Sequence, residues 1–222
     1  MLPLQAGAVG GSTTLRQRAL RPQLKRDPLG GAMSLAFHST MFDPQPTLAG
    51  QLLELRPLRP NDWPALFAVA SDPLIWEQHP ESDRYKEEVF QQFFADALTS
   101  GGALVAIDRA SRQIIGSSRY HGFDAAADVV EIGWTFLGRR YWGGRYNGEM
   151  KRLMLEHAFK TVAQVLFIIG PENRRSRRAV EKIGAVYLRV APDAKGRERV
   201  VYVLTKAAYA QGPHVGASPL EG

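Results

Sequence analysis

The run EIGWTFLGRRYWGGRYNGEM, from Glu131 to Met150, joins a strand-like segment to a helix-like one through a loop of glycines and arginines. Val129–Leu137 is apolar and rich in β-branched and aromatic residues. Met150, Leu153, Met154, Ala158 and Val162 then recur on one helical face. The free N–H groups and positive dipole end of a helix N-terminus favour a phosphate. Glycines let the backbone approach closely, and arginines add charge-assisted bonds. Arg140, Trp142, Gly143, Gly144, Arg145, Tyr146, Asn147 and Gly148 are therefore candidates for holding a phosphorylated ligand. The loop has neither GKS/T nor GxGxxG, which sets it apart from P-loops and dinucleotide folds. On these grounds alone, a flexible connector with solvated arginines fits as well.

Working outward, the pattern predicts a strand from Leu53, a helix capped near Asn61, and a second helix from about Lys86 to Leu98. Strands follow at Ala103–Asp108 and Gln113–Phe123. Beyond the long helix of 143–162 come a wholly apolar strand at Val165–Ile169, a helix capped by Asn173 and ended by Gly184, and a closing strand pair. The expectation is an α/β fold with a mixed sheet of about seven strands and four helices, spanning residues 49–208, with 209–222 as a tail. Residues 1–48 are rich in Gly, Pro, Ser, Thr and Arg and read as a disordered basic extension. Three origins fit that extension: an organelle transit peptide, a basic interaction arm, or sequence upstream of a working start at Met33 or Met41.

The 222 residues are 45% apolar and 23% charged, enough for one compact domain. No apolar run approaches the ~20 residues of a membrane span, so no membrane is expected. The absence of cysteine excludes disulfides, thiolate nucleophiles and Cys-ligated zinc, and a cytoplasmic location is expected. His38, His79, His121, His157 and His214 form no HxH or HExxH pairing, so no metal is expected. The net charge is +6, of which residues 1–32 hold +4, from five basic residues against Asp27. Nucleic acid is accordingly not the expected partner.

The Glu131–Met150 run resembles motif A of the GNAT acetyltransferases, particularly a branch similar to the RimJ/RimL ribosomal-protein N-terminal acetyltransferases. That branch shows EIG, a (Q/W)GxGxA loop and a Glu-containing helix. The segment from Asn173 through Ser176 to Glu181-Lys182-Ile183-Gly184 resembles its N-x-x-S…EK-x-G, and Leu55-Arg56-Pro57-Leu58 with Asp62 is similar to its start. The resemblance covers about residues 50–206. It implies a GNAT-type, mostly antiparallel sheet and direct transfer of acetyl from acetyl-CoA to an amine; a homodimer is compatible with it. It also implies that the strands 129–137 and 165–169 splay, with pantetheine bonded to backbone near Thr135, Phe136 and Leu137, and Gly133 permitting a bulge. Asn173 would bond the pantetheine arm and Ser176 would approach the sulfur. The cluster Arg174, Arg175, Arg177 and Arg178 reads as a solvated face, from which one member would meet the 3′-phosphate of CoA. Two departures stand out. The family's GKGYA is Gly143-Gly144-Arg145-Tyr146-Asn147 here, and the tyrosine many members use as general acid falls at Val180.

Glu131 is the leading general base, since a carboxylate in an apolar strand loses solvation and rises in pKa. The alternative is that it faces solvent. His121 on the neighbouring strand is the competing base. Trp76, Glu77, His79 and Tyr85 lie where the resemblance puts the acceptor wall, and an aromatic, acidic pocket would favour a cationic amine. Two other readings remain open: a non-catalytic acyl-CoA-binding module of the same fold, and a ribosome- or nucleic-acid-associated protein.

Overall fold

The computed structural model describes residues 41–212. Eight strands form one sheet in the order β1-β2-β3-β4-β5-β6-β8-β7. They are β1 (Leu48–Ala49), β2 (Leu53–Pro57), β3 (Ala103–Asp108), β4 (Ile114–Asp124), β5 (Val129–Leu137), β6 (Gln164–Ile169), β7 (Val186–Pro192) and β8 (Glu198–Thr205). Every neighbouring pair is antiparallel except β5 and β6. The five helices are α1 (Trp63–Ala70), α2 (Glu87–Thr99), α3 (Arg145–Ala158), α4 (Arg174–Lys182) and α5 (Lys206–Gln211). Two elements differ from the pattern expected: β1, only two residues long, and α5, which runs from the expected domain into the expected tail and packs Tyr209 against Phe159.

Each face of the sheet carries its own core. On one side α1 and α2 bring Leu66, Phe90, Phe93 and Phe94 against Val105, Ile107 and Phe136. On the other, α3 packs Met150, Met154 and Leu155 against Leu55, Tyr120, Ile132 and Val165, joined by Val180 of α4. Strand alternation produces this division: on β4, Tyr120 points into the α3 core while Arg119 faces Phe93 of α2. Phe42 also belongs to the α3 core, 5.1 Å from the Tyr120 ring, and the Asp43 carbonyl lies 2.7 Å from His157 Nε2. The packed chain thus begins before residue 49. Residues 1–40 and 213–222 lie outside the described residues, and with them all but 41–48 of the expected extension and all but 209–212 of the expected tail.

Asp62, not Asn61, stands at the N-cap of α1, and its carboxylate turns back to Arg56 at 2.7 Å and to the Arg59 N–H at 2.8 Å. A second carboxylate organises the start of the fold. Glu149, one turn into α3, accepts the backbone N–H groups of Gln51, Leu52 and Leu53 at 2.7, 2.7 and 2.9 Å, tying the β1–β2 turn to the helix. Sequence alone suggests only a favourable first-turn acid there. Glu149→Ala should lower unfolding free energy by about 2–4 kcal/mol, because bonds to a charged acceptor are lost and three donors are left without it. Denaturant titration checks this; an unchanged midpoint would show that the turn is held otherwise.

Candidate active site

Strands β5 and β6 pair only through Val129–Glu131 against Gln164–Leu166, and from Ile132 onward they separate. The cleft opened by that notch encloses about 1500 Å³. The splay has a local cause on β5. Between the pairs Arg119↔Gly133 and Ser117↔Phe136, two residues of β5, Trp134 and Thr135, stand opposite Ser118 alone. The bulge falls at Trp134, with φ +50°, rather than at Gly133. Such a conformation is strained for a bulky side chain, and it re-aims the strand away from β6. Gly133 matters for another reason. A Cβ there would lie 3.0 Å from Glu131 Oε1, so glycine leaves room for the carboxylate.

Glu131 sits at the apex of the notch on the α1/α2 face, with its side chain 13% exposed. Burial raises its carboxyl to about 7, opposed by the charge of Arg119. Its cross-strand partner is His121, whose Nδ1 is 3.8 Å from Glu131 Oε2 and whose side chain is half exposed. The two candidate bases are thus neighbours, one enclosed and the other open to water. The Trp134 ring lies between Arg119 at 4.7 Å and His121 at 5.2 Å. Arg119 is buried, its Nε and one Nη have no hydrogen-bond partner among the described residues, and burial lowers it to about 10.

On the opposite face, Lys151 of α3 reaches the notch. Its Nζ donates to Thr135 Oγ1 at 2.6 Å, and that hydroxyl is 2.7 Å from Ser118 Oγ. Neither Lys151 nor Arg119 figures among the site residues expected from sequence. For Lys151 the signal is present, because it shares a helical stripe with Leu155 and Ala158, both buried completely.

The glycine loop ends in Gly143 and Gly144, with φ of +98° and +118°, and Gly144 is the N-cap of α3. No atom lies within 4 Å of a Cβ placed at either, nor at Gly148, so the loop presents bare backbone at a helix N-terminus. Trp142 donates to the Leu137 carbonyl at 2.9 Å, and Arg175 stacks on its ring at 4.0 Å. Thr135, Phe136, Leu137, Trp142, Gly143, Gly144, Asn147, Gly148 and Asn173 all line the cleft. Three expected members of the loop do not. Arg140 bonds Gln113 and stacks on Tyr141, Tyr146 donates to Asp108 Oδ1 at 2.9 Å, and Arg145 lies outside the lining. Helical geometry turns Arg145 and Tyr146 away, since successive residues of a first turn point about 100° apart, while Arg140 sits in the 3-10 turn Arg139–Tyr141 ahead of the loop.

Across the notch, Asn173 caps α4 by accepting the Ser176 N–H at 3.1 Å, and both residues line the cleft. The arginines of α4 divide. Arg175 ties α4 to the Ile75 carbonyl and Gln78, and Arg177 bonds Tyr202 and the Pro171 carbonyl. Arg174 and Arg178 line the cleft, and neither side chain has an ion-pair partner among the described residues.

The acceptor side differs from the aromatic, acidic wall expected. Trp76 touches the cleft but is a core residue, 3% exposed, with Nε1 donating to the Ala70 carbonyl. Tyr85 packs on the α1/α2 core, and Glu77 pairs with Arg175 at 3.6 Å; neither lines the cleft. His79 does, but burial and Arg84 hold it neutral, down to about 3. The wall is instead an ion-pair cluster: Glu81 meets Arg84, Lys195 and Arg197, and Asp193 meets Arg197 and Arg199. Sequence could not show it, because its members come from the segment before α2 and from the β7–β8 hairpin, more than a hundred residues apart.

A notched, mostly antiparallel sheet with a glycine loop opening the helix beneath it is an acyl-CoA transferase architecture. Residues 53–186 match the family described as GNAT acetyltransferase domain, and the chain belongs to that family, which uses acetyl-CoA. No curated protein matches it. Among solved structures it resembles a GNAT-family protein from Chromobacterium violaceum, at 22% identity and TM-score 0.69, over 85% of this chain and 98% of that one. A GCN5-related N-acetyltransferase from Brucella melitensis shares 22% identity with TM-score 0.66, covering 74% and 80%. Mycobacterium smegmatis RimJ, in complex with CoA-disulfide, shares 17% with TM-score 0.56, covering 73% and 88%. At these identities the likeness is one of fold.

Proposed function

We propose that this protein transfers acetyl directly from acetyl-CoA to a primary amine, a protein N-terminus or a small amine, in the manner of the RimJ/RimL-like branch. The observation that carries the reading is Glu131: an enclosed carboxyl poised near neutrality at the apex of the notch, in a site whose other end is a bare helix N-terminus. The donor's pyrophosphate fits the backbone of Gly143–Gly144, and Arg174 and Arg178 supply unpaired positive charge for its phosphates. Its pantetheine arm fits the open edge of β5 near Thr135–Leu137 as an added strand. The amine enters from the α1/α2 face, gives its proton to Glu131, and attacks the carbonyl. His121, next to Glu131 and open to solvent, can pass the proton outward. A cytoplasmic setting accords with a chain free of cysteine.

A screen of peptides, polyamines, aminoglycosides and amino acids with acetyl-CoA, read by free CoA, tests the reading. Acceptor-dependent release is the expected result. Tight binding of acetyl-CoA with no release for any acceptor would favour the non-catalytic acyl-CoA module, to which the apolar, buried Val180 lends some support.

A further inference from the structure

We propose that Lys151 protonates the sulfur of coenzyme A as it leaves, a role for which Val180 offers no group; the proposal rests on the acetyl-CoA reading above. Lys151 is 6% exposed, and its hydrogen bond to Thr135 is the sole one its ammonium makes among the described residues. It has no ion-pair partner there, and the Phe167 ring of β6 lies 5.5 Å from Nζ. Thr135 and Phe167 belong to the two strands that part, so the ammonium sits at the floor of the notch, between its walls. Burying a charge without a counter-ion opposes folding, and such groups persist where a site uses them.

The placement is complementary to Glu131. Glu131 and His121 pair on the sheet face covered by α1 and α2, and Arg119 lies on that face as well. Lys151, Thr135 and Ser118 meet on the face covered by α3. The base for the amine thus lies on one face of the sheet and a proton donor for the sulfur on the other, so the two proton transfers use separate groups. Burial alone lowers Lys151, to about 7; no charged group of β4, β5, β6 or α4 contributes. A lysine so placed is a stronger acid than an exposed one and can release its proton at neutral pH.

The step balances without further reactants. The amine, neutral once Glu131 has taken one proton from it and passed that proton to solvent, forms the C–N bond. The adduct gives its second N–H proton to Glu131 as the C–S bond breaks, and the sulfur takes the bonding pair together with one Nζ proton. Lys151 is left as the neutral amine. The proton taken by Glu131 leaves to solvent, and Lys151 recovers one from solvent before the next cycle.

The pH profile of turnover gives the test. Measure acetyl transfer by wild type and Lys151→Met from about pH 6 to about pH 9 with an acceptor from the screen, read by free CoA, and titrate each protein with acetyl-CoA. In wild type kcat should fall on the alkaline side as Lys151 loses its proton, and Lys151→Met should lose that limb together with about 10²-fold in kcat. Its affinity for acetyl-CoA should hardly change. The variant should melt no lower than wild type, since it loses a buried charge without a counter-ion and keeps its length. A kcat and a pH profile shared by both proteins overturn the role of Lys151 while leaving the donor reading intact. Failure of wild type to bind acetyl-CoA, or binding without release for any acceptor, removes the transfer reading and this proposal with it. Should Lys151→Met not fold, the alkaline limb of wild type decides alone, and its absence overturns the role.

Discussion

Glu131→Gln should slow acetyl transfer by roughly 10²–10⁴-fold, the usual span for a positioned acid–base group. The substitution keeps shape and hydrogen-bonding capacity and removes only the base, so acetyl-CoA affinity should barely move. The pH profile carries the sharper signature. Because burial raises the carboxyl from its ordinary 4.5 to about 7, the ionised form, which accepts the proton, gains population as pH rises through neutrality. The kcat/KM of wild type should climb on the acidic side of that range, the alkaline side being set by other groups, and the glutamine variant should lose the acidic limb. The same shift bears on stability with opposite sign. The folded protein holds this proton more tightly than the unfolded chain, so the contribution is full below about pH 4.5 and is lost as pH rises toward 7. Glu131→Gln should remove that slope. His121→Gln is the paired control. Near-normal turnover in Glu131→Gln with collapse in His121→Gln would move the role of base to the histidine. Normal turnover in both would mean that the amine arrives already neutral.

Gly143→Val should weaken CoA binding by about 10–10²-fold with the domain still folded. A φ of +98° is one that a β-branched residue tolerates poorly, at about 1–3 kcal/mol, and each 1.4 kcal/mol is tenfold in affinity. Relief comes by moving the loop, which withdraws the N–H groups from the phosphate. Since no atom lies near a Cβ at this position, the core should not register the change. Calorimetry with CoA and a melting curve separate the two effects. Unchanged affinity in a folded Gly143→Val protein would place the pyrophosphate elsewhere.

Local pattern makes most of the fold legible. The strand Val129–Leu137 is readable to its ends, and Asn173 is recognisable as a cap, because β-branched runs and capping chemistry are written in adjacent residues. β1 escapes because two residues carry no periodicity; Glu149, across the chain, supports it from α3. The site divides along the same line. Glu131 stands out as a carboxylate in an apolar strand, and the loop stands out by its glycines. Which of Arg140, Arg145, Arg174 and Arg178 face the cleft depends on helical phase and neighbouring partners. Arg119 and Lys151 become visible only once opposite faces of the sheet are assigned, since an isolated cation in a strand or helix reads equally well as solvated.

The three-residue seam between β5 and β6 makes the sheet two half-sheets, β1 to β5 and β6 to β8, whose facing edges do not pair with each other along the rest of the notch among the described residues. A donor whose amides pair with those edges would be more than a reactant: it would serve as the missing rung of a ladder. Part of its binding energy would then go into cooperativity, linking units that otherwise breathe independently. Those amide protons of Thr135–Leu137 and Phe167–Ile169 that face the notch rather than β4 or β8 would exchange with solvent quickly in the free protein and slowly in the complex. In that sense the enzyme finishes folding each time it loads its donor.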